Sequence, residues 1–203
     1  MRGDAGGGEA ALALAVDPAA LHNRSMAFCL IETDLGWFGL AWSPQGITRA
    51  HLPGETPEEM RARLTRHGPE TTEGPAFVAE ARALIAEYAR GEPVSFARLP
   101  LDLSGISDFN RRVYEDILRL NWGETTTYGD IAWRLGDVGL SRAVGQAMGS
   151  NPIPLIIPCH RVLASGGKTG GFSAPGGREA KLRMLALEGV EADPQAGQLA
   201  FGF

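Results

Sequence analysis

The sequence predicts an α+β chain in two unlike halves. Three short apolar runs, over 26–33, 37–42 and 47–52, are separated by tight polar turns, the pattern of an antiparallel meander. After a Pro- and Gly-bounded connection at 99–105 the apolar period lengthens to that of helices, and two short capped segments follow in the spacing of a helix-turn-helix. Sheet first and helices after is the arrangement of a segregated two-layer fold rather than of alternating strand–helix units.

In chain order, residues 1–25 are rich in Gly and Ala and read as a flexible leader, with a helical turn near 18–22. The N-terminal unit is set at 26–103. Its strands turn at Asp34-Leu35-Gly36 and at Pro44-Gln45-Gly46, and Cys29 and His51 are expected to pack within or beside the sheet. A helix is expected over 57–66. A clearer amphipathic one spans 75–91, where Phe77, Ala81, Leu84, Ile85 and Tyr88 share a face and Gly91 stops it. The stretch 93–96 reads as one more strand.

The second unit is set at 104–190, with 191–203 as a tail. Ser107 suits the N-cap of a helix reaching Asn121, with Phe109, Val113, Ile117 and Leu120 on its buried stripe. Thr127 caps a helix over 128–135, closed by Gly136, and Ser141 caps another over 142–149, closed by Ser150-Asn151-Pro152. In a helix-turn-helix the second helix meets nucleic acid with its N-terminal residues foremost, and here that residue is Arg142. A last helix, 177–189, half-buries Leu182, Leu185 and Leu187 and carries Lys181 and Glu188.

Composition excludes several classes. A net charge of −5 argues against a protein that coats nucleic acid, yet between Arg142 and Arg183 six cations face Glu179 alone, a local balance of +5. Two distant cysteines form no disulfide framework and fit a reducing, cytoplasmic setting. No apolar run approaches a membrane span, and the leader, with Asp4 and Glu9, does not read as a signal peptide. The segment 164–171 resembles a phosphate loop but has Val162 where that pattern demands Gly; its glycines suit a tight loop with backbone facing a ligand.

The chemistry concentrates in Pro154-Leu155-Ile156-Ile157-Pro158-Cys159-His160-Arg161-Val162. The apolar run 155–157 is expected to be a short buried strand or extended segment that delivers Cys159 onto a backbone stiffened by Pro158. A cysteine alone is as readily a small core residue. His160 as a base, Arg161 as a cation and the polar turn at Asn151 shift the reading to a nucleophile in a setting that lowers its pKa from roughly 8.5.

The run Pro158-Cys159-His160-Arg161-Val162, preceded by Asn151-Pro152 and by Ser141-Arg142-Ala143-Val144-Gly145, resembles the O6-alkylguanine-DNA alkyltransferases, the methylated-DNA–protein-cysteine methyltransferases. The resemblance is specific from about Asp108 to Glu188 and extends to the N-terminal half in layout only. It implies a small ribonuclease H-like sheet domain followed by a winged-helix, helix-turn-helix domain. It implies single-turnover transfer of an alkyl group from O6 of guanine, with O4 of thymine a second target, to Cys159. His160 would be the base acting through a water, and Glu188 would orient its ring. A guanine in duplex DNA must be flipped to reach such a pocket. Arg142, flanked by Ser141 and Ala143, would fill the gap from the minor groove, with Arg161 in the same DNA-binding set. Tyr128 would press on the phosphate and contact the base, and Asn151 would link helix to active-site turn. The carbonyls of Cys159 and Val162 would accept from the guanine amine, the Ser173 amide would serve O6, and Phe172 and Lys181 would line the pocket.

The partner implied is double-stranded DNA bearing O6-alkylguanine, met by a monomer with no cofactor, no metal and no membrane. Phe172 stands where many members have Tyr, and 173–177 is slightly longer than usual, so a roomier pocket is expected. Three other functions fit the residues less well. An alkyltransferase-like damage binder lacks the cysteine; a methylation-triggered transcription regulator needs a cysteine-rich metal domain. A Cys-His-Glu hydrolase leaves the helix-turn-helix and the basic window without a purpose.

Overall fold

The structure, a computed structural model, describes residues 26–192. The leader 1–25, with its turn near 18–22, and the tail beyond 192 lie outside the described residues.

Three strands, β1 (Ala27–Thr33), β2 (Gly36–Ser43) and β3 (Gly46–His51), form an antiparallel sheet in that order. Thr33 pairs with Gly36 and Ser43 with Gly46, so both hairpins are as tight as their turn residues require. Side-chain alternation sends the two faces to different partners. Phe28 and Ala41 pack on Met60 and Leu64 of α1 (Pro57–Leu64), while Cys29, Leu40 and Trp42 join Val78, Ala81, Ile85 and Tyr88 of α2 (Ala76–Ala89). Burying each large apolar side chain in these layers stabilises by about 1.5–3 kcal/mol. Helix α1 lies close because Gly39 lets it: a Cβ there would sit 2.6 Å from Leu64 Cδ1. Thr56 and Glu59 start α1 with a reciprocal capping box.

Both outer sheet edges are occupied. The backbone of β1 bonds to Pro69 and Thr71 at Phe28, and that of β3 bonds to Pro100 and Asp102 at Ile47. This corrects the strand expected at 93–96. Val94 and Phe96 are buried but pair with no strand among the described residues, and Pro93 lacks a donor. Further along β3, Ala50 N donates to Pro152 O at 3.1 Å, so the same edge holds the turn that leads to Cys159.

The second half begins with α3 (Asp108–Ile117), capped by Ser107 through Asn110 N. It stops short of Asn121 because the chain unwinds after Ile117 and turns the Leu120 carbonyl toward Arg161. Strands β4 (Thr126–Thr127) and β5 (Val162–Leu163) pair in parallel. Between them come α4 (Tyr128–Arg134), with a Thr127–Asp130 capping box, and α5 (Ser141–Gly149); α6 (Gly177–Leu187) closes the described chain. Ser141 is not an N-cap: it is the first helical residue, its hydroxyl donates to the Val138 carbonyl at 2.7 Å, and Leu140 precedes it without a side-chain cap.

The run 155–157 is buried but is not a strand. Leu155 has φ 75, and Ile157 N returns to Ile153 O at 2.8 Å, which closes the segment into a tight loop. Pro154 and Pro158 offer no N–H to a ladder, and the Asn151 side chain takes the place of a partner strand. Its Nδ2 donates to Ile157 O at 2.8 Å and its Oδ1 accepts from Ile153 N at 3.0 Å. One apolar cluster runs from Cys29 and Tyr88 through Ile117 and Ile153 to Cys159 and Met184, so the thiol sits where the two halves share a core.

Candidate active site

Cys159 opens a 3-10 turn, Cys159–Arg161, directly after Pro158, with its own N–H bonded to Ile157 O at 2.8 Å. Both neighbours in the turn point inward. His160 Nε2 lies 2.7 Å from Glu188 Oε1, and Glu188 is the C-cap residue of α6. Arg161 Nε donates to Glu188 Oε2 at 2.8 Å and its Nη2 to Oε1 at 3.1 Å, while Gly123 N reaches Oε2 at 3.3 Å.

This geometry fixes the protonation states. Burial alone would raise the Glu188 carboxyl, but the imidazole and guanidinium bonded to it more than reverse that and hold it down to about 2. His160 is pushed down, chiefly by complete burial, with Glu188 resisting, so its resting ring is neutral. An ionised carboxylate only accepts hydrogen bonds, so Nε2 carries the ring proton and Nδ1 keeps a lone pair. Nδ1 is buried and has no protein partner. It is the atom free to take a proton.

The thiol departs from expectation. Burial pushes the Cys159 pKa up, although the Asn151 amide, the Lys181 charge and the N–H groups of residues 159 and 160 pull it the other way. The electropositive setting anticipated from Arg161 does not prevail, because that guanidinium is neutralised by Glu188. For the same reason Arg161 leaves the DNA-binding set: it is 5% exposed and its remaining donor, Nη1, is bonded to Leu120 O at 2.8 Å.

In front of the sulfur lies a pocket of about 470 Å³ between α4, α5 and the loop 171–173. Tyr128, Phe172 and Ser173 line it. Gly145, Met148 and Gly149 also line it; they share one face of α5 by their i, i+3, i+4 spacing, a signal that was open to reading in the sequence. Ser173 Oγ ties the loop to Gly149 O at 3.0 Å. Gly170, at φ 70, lies so near Tyr128 that a Cβ would come within 3.1 Å of the ring.

Lys181 is fully buried. Its ammonium donates to the Val162 carbonyl at 2.5 Å, sits 5.9 Å from the centre of the Tyr128 ring, and is pulled down to about 8, chiefly by burial. The Val162 carbonyl is thus already engaged. Tyr88, expected only on the buried face of its helix, sets its ring edge-on to His160 at 6.5 Å from the N-terminal half. Arg142 is exposed at the start of α5, with Ser141 and Ala143 half-buried beside it, three and seven residues before the pocket-lining Gly145 and Gly149 and so on the same side of the helix. Among the described residues no group of His, Cys, Asp or Glu is placed to hold a metal ion, and no helix is long and apolar enough to cross a membrane.

A buried thiol backed by a neutral imidazole held on a carboxylate, in a pocket walled by a helix-turn-helix, is the arrangement of a candidate cysteine nucleophile beside a DNA-binding motif. Residues 108–190 match the family model of the 6-O-methylguanine DNA methyltransferase DNA binding domain. The methylated-DNA–protein-cysteine methyltransferase of Mycolicibacterium paratuberculosis is 37% identical over 158 residues, covering 78% of this chain and 89% of that one. The crystal structure of the Mycobacterium tuberculosis O6-methylguanine methyltransferase superposes with a TM-score of 0.65 at 34% identity, covering 84% of this chain and 97% of that one. A structure of the M. tuberculosis protein in complex with DNA gives the same TM-score and identity over 80% and 92%. The chain belongs to the methylated-DNA–protein-cysteine methyltransferase family.

Proposed function

We propose that this protein repairs DNA by moving an alkyl group from O6 of guanine onto Cys159, once per molecule. The observation that carries the reading is the buried Cys159 at the pocket floor, with His160 held neutral and singly oriented behind it. His160 Nδ1 takes the thiol proton through an intervening water, and Glu188 steadies the resulting imidazolium by its bond to Nε2. Sγ then bonds to the alkyl carbon, the carbon–O6 bond breaks, its electron pair stays on O6, and the purine recovers a proton. The product is a thioether with no hydrolysable bond, so the protein is consumed.

Double-stranded DNA is the partner, and Arg142 with the uncapped start of α5 supports contact with it. Exposed N–H groups at a helix start favour phosphate, and a flat guanidinium can occupy the place of an extruded base. Tyr128, Phe172 and Ser173 would receive the flipped base. Its amine would bond the Cys159 carbonyl and compete with Lys181 for that of Val162. The two free thiols, Cys29 and Cys159, suit the cytoplasm. The protein would act as a monomer, which sedimentation checks.

The test is the intact mass of the protein after mixing with an O6-methylguanine duplex. One methyl gained on the wild type and none on Cys159→Ala is expected. Turnover of excess substrate, or methylation of the alanine variant, refutes the proposal.

A further inference from the structure

The pocket before Cys159 has a second way out. A groove of about 730 Å³ shares Met148, Cys159 and Phe172 with it and runs past Pro152 and Pro154 to the N-terminal half, where Arg49 of β3 and Arg63 and Arg66 after it line the far wall. Charge there is uncompensated. The one carboxylate in the wall, Glu55, is bound by Arg63, and nearby Glu70 is bound by Arg61. Arg49 is half-buried, yet its guanidinium donates at 3.3 Å to the carbonyl of its own neighbour Thr48, and Arg66 donates to the His67 ring. Neither arginine forms an ion pair among the described residues.

The surroundings agree with a missing anion. Burial and then Arg66 hold the Arg49 pKa below its usual value. His51, in the same wall, is pushed down to about 4 by burial and then Arg63, so it is neutral, and its Nε2 is buried without a partner. The wall therefore carries the charge of Arg49 and Arg66 together with an unused imidazole nitrogen.

Displacement at carbon places Sγ, the transferred carbon and O6 on one axis. Any longer alkyl chain must leave that axis sideways, and beyond Cys159 the open side is this groove. We propose that the groove takes the distal part of extended O6 substituents and that Arg49 and Arg66 favour those ending in a carboxylate. The inference rests on the alkyl-transfer reading and names a substrate class within it. Sγ bonds to the first carbon, the carbon–O6 bond breaks with its electron pair on O6, and the thiol proton returns to the purine. The carboxylate passes unchanged onto the thioether.

The probes are free O6-(carboxyalkyl)guanine bases of increasing chain length, each matched with its neutral carboxamide, so that no DNA phosphate takes part. Transfer to the full chain is followed by intact mass, with an O6-methylguanine duplex as control. At the longer chain lengths the carboxylate is expected to react on the order of 2- to 5-fold faster than its amide, the scale of a partly screened charge pair. That ratio falls toward one in Arg66→Gln, an exposed site, and in Arg49→Gln, with methyl transfer unchanged. A ratio at or below one throughout the series, or one that neither variant alters, overturns the proposal. So does an equal slowing of methyl transfer from duplex DNA, which would assign both arginines to phosphate. A wild type that fails to take methyl from the duplex refutes the underlying reading instead.

Discussion

Replacing Glu188 with Gln tests whether one carboxylate holds the site together. Four donors converge on it: His160 Nε2, Arg161 Nε and Nη2, and Gly123 N. A glutamine offers one acceptor oxygen and an NH2 that the His160 ring can accept only by switching tautomer and that Arg161 and Gly123 N cannot accept at all, and it leaves a buried guanidinium uncompensated. Breaking a buried pair in this way costs about 3–5 kcal/mol. With a urea dependence of about 1–3 kcal/mol per molar, the unfolding midpoint near pH 7 should fall by on the order of 1–5 M. The pH dependence gives a second reading of the same quantity. The folded Glu188 pKa is depressed from the usual 4.5 to about 2, so its stabilisation is complete above 4.5 and is lost as pH falls toward 2. By 1.36 kcal/mol per unit that loss is on the order of 3 kcal/mol, and the gap between wild type and variant should close over that window. A Gln variant within about 1 kcal/mol of wild type at neutral pH, or a gap that persists unchanged in acid, refutes the argument. Arg161→Met in the Glu188→Gln background should recover part of the loss, because removing both charges costs less than stranding one.

Asn151→Ala removes the two bonds that close the 151–157 loop and should destabilise by roughly 2–3 kcal/mol in denaturant titration, with slower methyl transfer; a stable variant with displaced chemistry would show that the prolines suffice. Lys181→Met removes the charge that helps draw down Cys159, so the pH at which iodoacetamide labels that thiol should move up, and a downward move contradicts the assignment. Arg142→Ala should weaken duplex binding by about tenfold and flatten its salt dependence with stability within about 0.5 kcal/mol, since the residue is exposed; an unaltered salt slope would remove it from the interface. Phe172→Tyr adds a hydroxyl to the pocket wall, and the benzyl-to-methyl rate ratio should drop; equal ratios dismiss the roomier-pocket expectation.

The sheet, the helices and the thiol's neighbours were legible because each rests on local chemistry. Apolar runs between tight turns gave β1–β3, Thr127 as an N-cap gave the start of α4, and the cysteine behind Pro158 marked the candidate nucleophile. The departures arose where long-range contacts decide. Nothing in 93–96 reveals that it is 69–71 and 100–102 that bond to the sheet edges, at Phe28 and Ile47. Nothing in Cys-His-Arg tells which of the two basic residues meets Glu188; both do, and that removed Arg161 from the surface. The Lys181 bond to Val162 and the continuity of the thiol pocket with β3 likewise depend on segments far apart in sequence.

The direction of the Cys159 shift fits a nucleophile that can be used once. A thiolate with a lowered pKa attacks whatever electrophile diffuses in, and a protein consumed by each reaction would be lost to such encounters. Burial keeps this sulfur protonated, while the groups that favour its ionised form, the Asn151 amide and the Lys181 charge, are held in fixed positions around it. The neutral His160 completes the arrangement. Had Glu188 lacked Arg161, the carboxylate would draw a proton onto the ring more strongly and occupy the lone pair at Nδ1. With two guanidinium bonds sharing its charge, Glu188 orients the ring without charging it. Arg161 is therefore best understood as a positioning residue for the base, and a variant that keeps the fold but loses this cation should show His160 titrating at higher pH, an upward shift that NMR of the ring reads directly.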